Sequence, residues 1–237
     1  MAGKLLDLVL DAHGGMNRWS ELSDLIVDTT LGGSLWAQVG VPTILPNVRL
    51  SLSLKRQHVM MHSDTAKERM LFDSFGMSLF APEQRPLRLE DPRQSIMERP
   101  GYPWTELQAG YFIGYAMWQY LTAPFLYSYP GFQTEEVEAW HEGGETWRVL
   151  RITFPDHIET HTNVQYAYYG PDGLLRRHRY AVDILGGIVG VNYASAYQQI
   201  NGIMVPTVRE VFAADIEGNK IGSPPVVTIK LDRLFFQ

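Results

Sequence analysis

Cysteine is missing from all 237 residues. That excludes disulfide staples, thiolate nucleophiles, iron–sulfur clusters and cysteine-based zinc sites, and it fits a reducing compartment. Basic runs are missing as well. Lys and Arg total 20 against 26 Asp and Glu, for a net charge of −6, so the cationic stripe that displaces phosphate counterions has no source and no nucleic-acid partner is expected. There is no phosphate-binding glycine loop, no nucleophile elbow and no zincin helix, and no cofactor is expected. Long unbroken apolar runs are also scarce. The opening MAGKLLDLVLDAHGG is interrupted by Asp7 and Asp11, unlike the apolar core of a secretory signal. The most apolar stretch, 107–126, holds Gln108, Gln119 and Pro124 and is borderline for a bilayer span of about 20 residues. A buried helix is the expectation there, and the chain is read as cytoplasmic and not membrane-embedded.

What is present suits one large β-domain over 1–237, a length that sandwiches and barrels commonly fill as one unit. Residues 2–13 carry apolar positions at helical spacing, with Leu5, Val9 and Ala12 on one face and Gly14-Gly15 as a left-handed cap. One more turn follows, with Trp19 inward. Residues 24–39 read as a strand broken by a bulge or sharp bend at Gly32-Gly33. Val48, Leu50, Leu52 and Leu54 alternate with Arg49, Ser51, Ser53 and Lys55, the period of a half-buried strand. Residues 81–103 hold five prolines and read as a long surface loop, with a lid as one use for it. Residues 104–121 form a helix apolar nearly all round, hence buried on several sides. Its Gly110 and Gly114 offer room for another backbone. From 132 onward, turn signals recur at 142–144, 171–173, 186–187, 201–202 and 217–219, and short connections make successive strands antiparallel. The expected fold is mainly β (α+β): a strongly curved antiparallel sheet of about ten or eleven strands, an open half-barrel whose concave face is covered by the N-terminal and central helices.

Gly14-Gly15 with Trp19 and Leu22, then Tyr169-Gly170-Pro171-Asp172-Gly173-Leu174-Leu175, then Asn201-Gly202-Ile203 through Pro206 and Arg209, resemble the opening and the closing hairpins of the LolA/LppX-like lipoprotein-carrier group. The chain is also similar to a family of uncharacterised bacterial proteins without a signal peptide. The resemblance implies an open half-barrel that holds acyl chains under its helices. Exported carriers of that group have signal peptides, and the N-terminus here reads differently. Lipocalins rank second as a fold, because they lack a long helix between two sets of strands.

Three constellations could carry chemistry. Asp156, His157, Glu159 and His161 include an H-x-x-x-H spacing. On a strand, positions four apart are about 13 Å from each other, so two polar loop histidines are expected rather than a metal site; His58 and His62 are read the same way. Second, Arg176, His178, Tyr180 and Val182 share one strand face, opposite Arg177 and Arg179. That mixture suits a cavity wall, and Tyr166 and Tyr168 lie on the neighbouring strand. A solvated face is expected for Arg177 and Arg179. Third, the buried phenols Tyr111, Tyr115 and Tyr120 need hydrogen-bond partners.

Two functional classes fit. One is a cofactor-independent lyase, isomerase or cyclase acting on a hydrophobic or aromatic small molecule. There His178 or His161 is the acid or base, Tyr180 or Tyr115 polarises an oxygen, and Tyr111, Trp118, Tyr166, Tyr168, Arg151 and Arg176 bind substrate. The other is a non-catalytic carrier of a lipid, isoprenoid or pigment in the same cavity. The sequence reading leans slightly to the enzyme. Either would work as a monomer or homodimer.

Overall fold

The computed structural model describes residues 3–43, 45, 47–63 and 67–237; residue 2 of the expected first helix lies outside them. The chain opens with helix α1 (Gly3–Ala12), burying Leu5 and Val9 and leaving Leu8 exposed. Gly14, at φ +117°, turns it into α2 (Gly15–Ser20). A Cβ at Gly14 would stand 2.2 Å from the carbonyl oxygen of Gly202, so only glycine lets this helix pair dock on the 201–202 hairpin. Trp19 of α2 is buried and stacks on Phe125 at 4.2 Å.

Fourteen strands follow: β1 (Asp24–Gly32), β2 (Asn47–Ser53), β3 (His58–His62), β4 (Arg69–Asp73), β5 (Gly76–Phe80), β6 (Leu87–Leu89), β7 (Gln133–Glu142), β8 (Glu145–Thr153), β9 (Val164–Tyr169), β10 (Leu175–Val182), β11 (Ile188–Ile200), β12 (Ile203–Ala214), β13 (Lys220–Ile221) and β14 (Val227–Phe236). They form a single antiparallel sheet in the order β6-β5-β4-β3-β2-β1-β14-β12-β11-β10-β9-β8-β7, with β13 beside β12. Among the described residues β6 and β7 do not pair with each other, so the sheet curves without closing: a half-barrel.

The expectation of ten or eleven strands falls short. The short β6 and β13 have too few residues to show a period. The strand expected over 24–39 ends at Gly32, and a short helix α3 (Leu35–Gln38) follows, burying Leu35 and Trp36. The reason is local. Gly33 sits at φ +106° against the Val226 carbonyl, and the Trp36 indole donates to the Gly32 carbonyl at 3.1 Å. The 81–103 segment is not all loop either: it contains β6 and helix α4 (Pro92–Met97), capped by the Asp91 carboxylate.

Helix α5 (Glu106–Thr122) fills the concave face. Thr105 and Gln108 form a reciprocal capping box, and Pro124 stands just beyond its end. Every residue from Ala109 to Thr122 is buried. Gly110 faces Met70 and Met77, and Gly114 faces Phe72. The two glycines therefore admit side chains of β4 and β5, not the backbone the spacing suggests. Among the described residues no helix is long and apolar enough to cross a membrane.

Candidate functional site

The last turns of α5 meet the 155–163 loop and β10 in a buried polar knot. A chain of side-chain amides and a hydroxyl sets the loop in place. Gln119 donates to Gln165 at 2.6 Å, and Thr160 donates to Gln119 at 2.6 Å. This holds His161 fully buried between two phenols, with Tyr115 Oη 3.2 Å from Nδ1 and Tyr120 Oη 2.8 Å from Nε2. Tyr180 stacks on the imidazole at 4.0 Å, and its hydroxyl lies 2.5 Å from that of Tyr120. Burial pushes His161 well below the usual histidine range and holds it neutral. Burial also lifts the Tyr120 hydroxyl to about 12. His178 packs edge-on against Tyr180, is 2% exposed and is driven by burial down to about 3; among the described residues its Nε2 has no partner.

Beside this knot lies a cavity of about 180 Å³. Its ceiling is α5 (Phe112, Ile113, Ala116, Met117), its floor is the concave face of β10, β11, β12 and β14, and α3 closes one side with Leu35 and Trp36. Among the described residues, the polar side chains with oxygen or amide groups on its wall are Gln38, Tyr120 and Tyr180. Gln38 and Ile188, both exposed, mark its rim. The volume exceeds the roughly 150 Å³ apolar cavity that admits a benzene-sized guest.

Of the sequence-predicted residues, the fold unites His161, His178, Tyr180 and Tyr115. Of these four, Tyr180 lines the cavity, and the other predicted residues do not. Tyr111 hydrogen-bonds Glu159 and takes a long contact from Arg93 at the loop's edge. Trp118 is core, donating from its indole to the Ser53 carbonyl at 2.9 Å. Tyr166, Tyr168 and Arg151 point to the convex side: Tyr168 pairs in register with Arg177 and Tyr166 with Arg179, whereas Ala167 pairs with His178. Arg151 faces Glu135 at 3.8 Å. Arg176 leaves the His178 face because a register shift falls between Leu175 and Arg177, and it binds Asp172 and Glu145 instead. Arg177 is not solvated but 0% exposed, held by Glu142 at 2.7 Å and lying over the rings of Trp140 and Tyr168. His157 is an exposed turn residue; His161, expected as a polar loop histidine, is core. Among the described residues no three His, Asp or Glu side chains cluster to hold a metal.

Sequence reasoning recognised Tyr120 only as a phenol in need of partners, not as the centre of the knot. It also passed over Asn192 and Arg209, buried polar residues on the same concave face. The signal for Arg209 lies in the alternation of Val205, Thr207, Arg209 and Val211, all buried, along β12.

No family model matches the chain, and no curated protein resembles it in sequence. Its fold has solved counterparts. A LolA superfamily protein from Nitrosomonas europaea superposes with a TM-score of 0.55 at 13% identity, covering 100% of this chain and 93% of that one. A DUF1329 family protein from Desulfovibrio piger gives 0.53 at 12% identity, covering 99% and 92%. The fold is that of the LolA-like half-barrels.

Proposed function

We propose that this protein binds and carries a hydrophobic small molecule, of lipid, isoprenoid or pigment class, between α5 and the concave face of the sheet. The observation that carries this is the apolar cavity of about 180 Å³ between α5, α3 and the sheet. The half-barrel shared with a LolA superfamily protein supports the same reading. Apolar space of this size loses contacts that filled space would gain, so an apolar guest stabilises it. The test is native mass spectrometry of mildly purified protein, followed by solvent extraction. It is paired with titration of an environment-sensitive apolar dye against the wild type and Ala116→Phe, which fills the cavity from α5. A co-purifying apolar compound, and dye binding abolished by the substitution, are expected. Equal dye binding by both proteins would refute the reading.

A second reading, cofactor-independent acid–base chemistry of lyase or isomerase type, draws on one observation: the unpartnered Nε2 of His178 beside Tyr180. His161 is less suited to that role, because phenols occupy both its ring nitrogens. Conversion of an extracted ligand by the wild type but not by His178→Ala would favour this second reading over simple carriage.

A further inference from the structure

Among the described residues, one buried cation lacks a counter-charge. Arg148, Arg93 and Arg177 each have a carboxylate, at 2.7, 3.2 and 2.7 Å. Arg209 on β12 is 3% exposed, and among the described residues no carboxylate pairs with it. Its Nη2 donates to the Tyr120 carbonyl at 3.1 Å, its guanidinium lies 5.0 Å from the Tyr120 ring, and among the described residues its Nη1 has no partner. A buried cation left in this state is costly, and so is each buried polar atom without a hydrogen bond.

The orphaned atoms are concentrated. Of six such side-chain atoms among the described residues, four belong to Arg209, His178 and Asn192: Nη1, Nε2, and both Nδ2 and Oδ1 of the amide. Register brings them together. His178 faces Asn192 across β10 and β11, and Asn192 faces Val211, the next same-face neighbour of Arg209 on β12. Asn192 also lies close enough to the Tyr120 hydroxyl to lower its pKa, though short of hydrogen-bond geometry.

We propose that Arg209, Asn192 and His178 form the seat of a carboxylate, and that the protein's ligand is an apolar carboxylic acid with its tail in the cavity. This rests on the hydrophobic-binding reading above and adds the ligand's head group. Head and tail sites adjoin. Tyr180, Gly190 and Val211 line the cavity, and each is the next same-face position along its strand from His178, Asn192 and Arg209 respectively, a step of about 7 Å. The carboxylate oxygens accept from Arg209 Nη1 and Asn192 Nδ2, with His178 Nε2 donating in one tautomer.

The test titrates delipidated full-length protein at about pH 8, where a carboxylic acid is ionised, with a fluorescent polyene fatty acid and with its methyl ester. Wild-type protein is expected to bind the acid on the order of 10-fold or more tighter than the ester, as a charge-assisted hydrogen bond implies. Arg209→Met is expected to bring the two affinities together, and Asn192→Ala to narrow the gap with the cation in place. Equal wild-type affinities for acid and ester would overturn the carboxylate seat and leave the cavity reading standing. A preference that survives Arg209→Met would also overturn it. Binding of neither compound would overturn both readings. If Arg209→Met does not fold, the wild-type ratio and Asn192→Ala decide.

Discussion

The hydroxyl of Tyr120 lies 2.8 Å from Nε2 of His161, and the same oxygen lies 2.5 Å from the Tyr180 hydroxyl. One phenol thus joins the 155–163 loop and β10 to the end of α5. Tyr120→Phe keeps the ring and removes the joint, leaving a buried imidazole nitrogen and a buried hydroxyl without partners. A loss of about 1–3 kcal/mol is expected for each group left in that state. Tyr115→Phe frees only Nδ1 of His161 and should cost less. Urea denaturation of both variants checks the order. Equal or reversed losses would show that Tyr120 is not the centre of the knot.

Three buried imidazoles are neutral in the folded protein: His161 well below its ordinary value, His178 down to about 3 and His13 down to about 4, all chiefly through burial. In the unfolded chain they take up protons near pH 6.5. The native state therefore binds fewer protons than the unfolded state below that pH, and stability rises with pH in that window. Each histidine is fully stabilising above pH 6.5 and loses about 1.4 kcal/mol per pH unit on acidification, down to about 4 for His13 and about 3 for His178. Melting temperature should fall steeply between about pH 6.5 and 4, and His13→Gln should flatten the slope. A flat profile would mean that these rings already carry protons when folded.

Gly110 and Gly114 occupy equivalent places on α5 but face different neighbours. A Cβ at Gly114 would stand 2.6 Å from Phe72 Cβ, an atom fixed to the β4 backbone; at Gly110 it would meet Met77 Cε at 2.7 Å and Met70 Sδ at 2.8 Å. Thioether side chains can move aside. Alanine gains about 1 kcal/mol of helix propensity at either site. Overpacking against Phe72 costs about 1–3 kcal/mol. Gly114→Ala is therefore expected to destabilise, and Gly110→Ala to be near neutral. Thermal melts that rank them the other way would place the rigid contact at Gly110.

The strands and the central helix were legible because their periods are local. Val48, Leu50 and Leu52 alternate with polar residues and are all buried along β2. The apolar run over 104–121 ends where proline forces it to. Which face turns inward was not legible in the closing meander. The faces of β9 and β10 do not separate into apolar and polar: Gln165, Ala167, His178 and Tyr180 share one, and Tyr166, Tyr168, Arg177 and Arg179 share the other, and α5, far away in sequence, decides which one is covered. The shift between Leu175 and Arg177 then moves Arg176 off the His178 face, and no alternation rule foresees an extra residue. This is why alternation put His178 and Tyr180 on one face but did not show that Tyr166, Tyr168 and Arg151 lie on the convex side. Arg209 was read only as part of a closing hairpin, because arginine in a strand is ordinarily a surface residue.

The convex face has its own buried cation, and it should behave unlike its neighbours. Arg177 is closed in by Trp140, Tyr168 and Tyr193, with guanidinium-to-ring distances of 4.7, 4.6 and 5.9 Å, and it donates to Glu142 at 2.7 Å and to the Gly218 carbonyl. Here the counter-charge is present, so removing the cation breaks a partly buried pair and empties an aromatic box. Arg177→Ala should cost about 3–5 kcal/mol, as breaking buried pairs does. Arg177→Lys should recover only part of this, since an ammonium cannot stack between rings as a planar guanidinium does. Arg151, on the same face, has an exposed partner in Glu135, and Arg151→Ala should stay within about 0.5 kcal/mol of the wild type. Urea midpoints for the three variants test this contrast. Full recovery by lysine would mean that charge alone holds the site, and a small loss in Arg177→Ala would mean that Trp140 and Tyr168 close the gap by themselves.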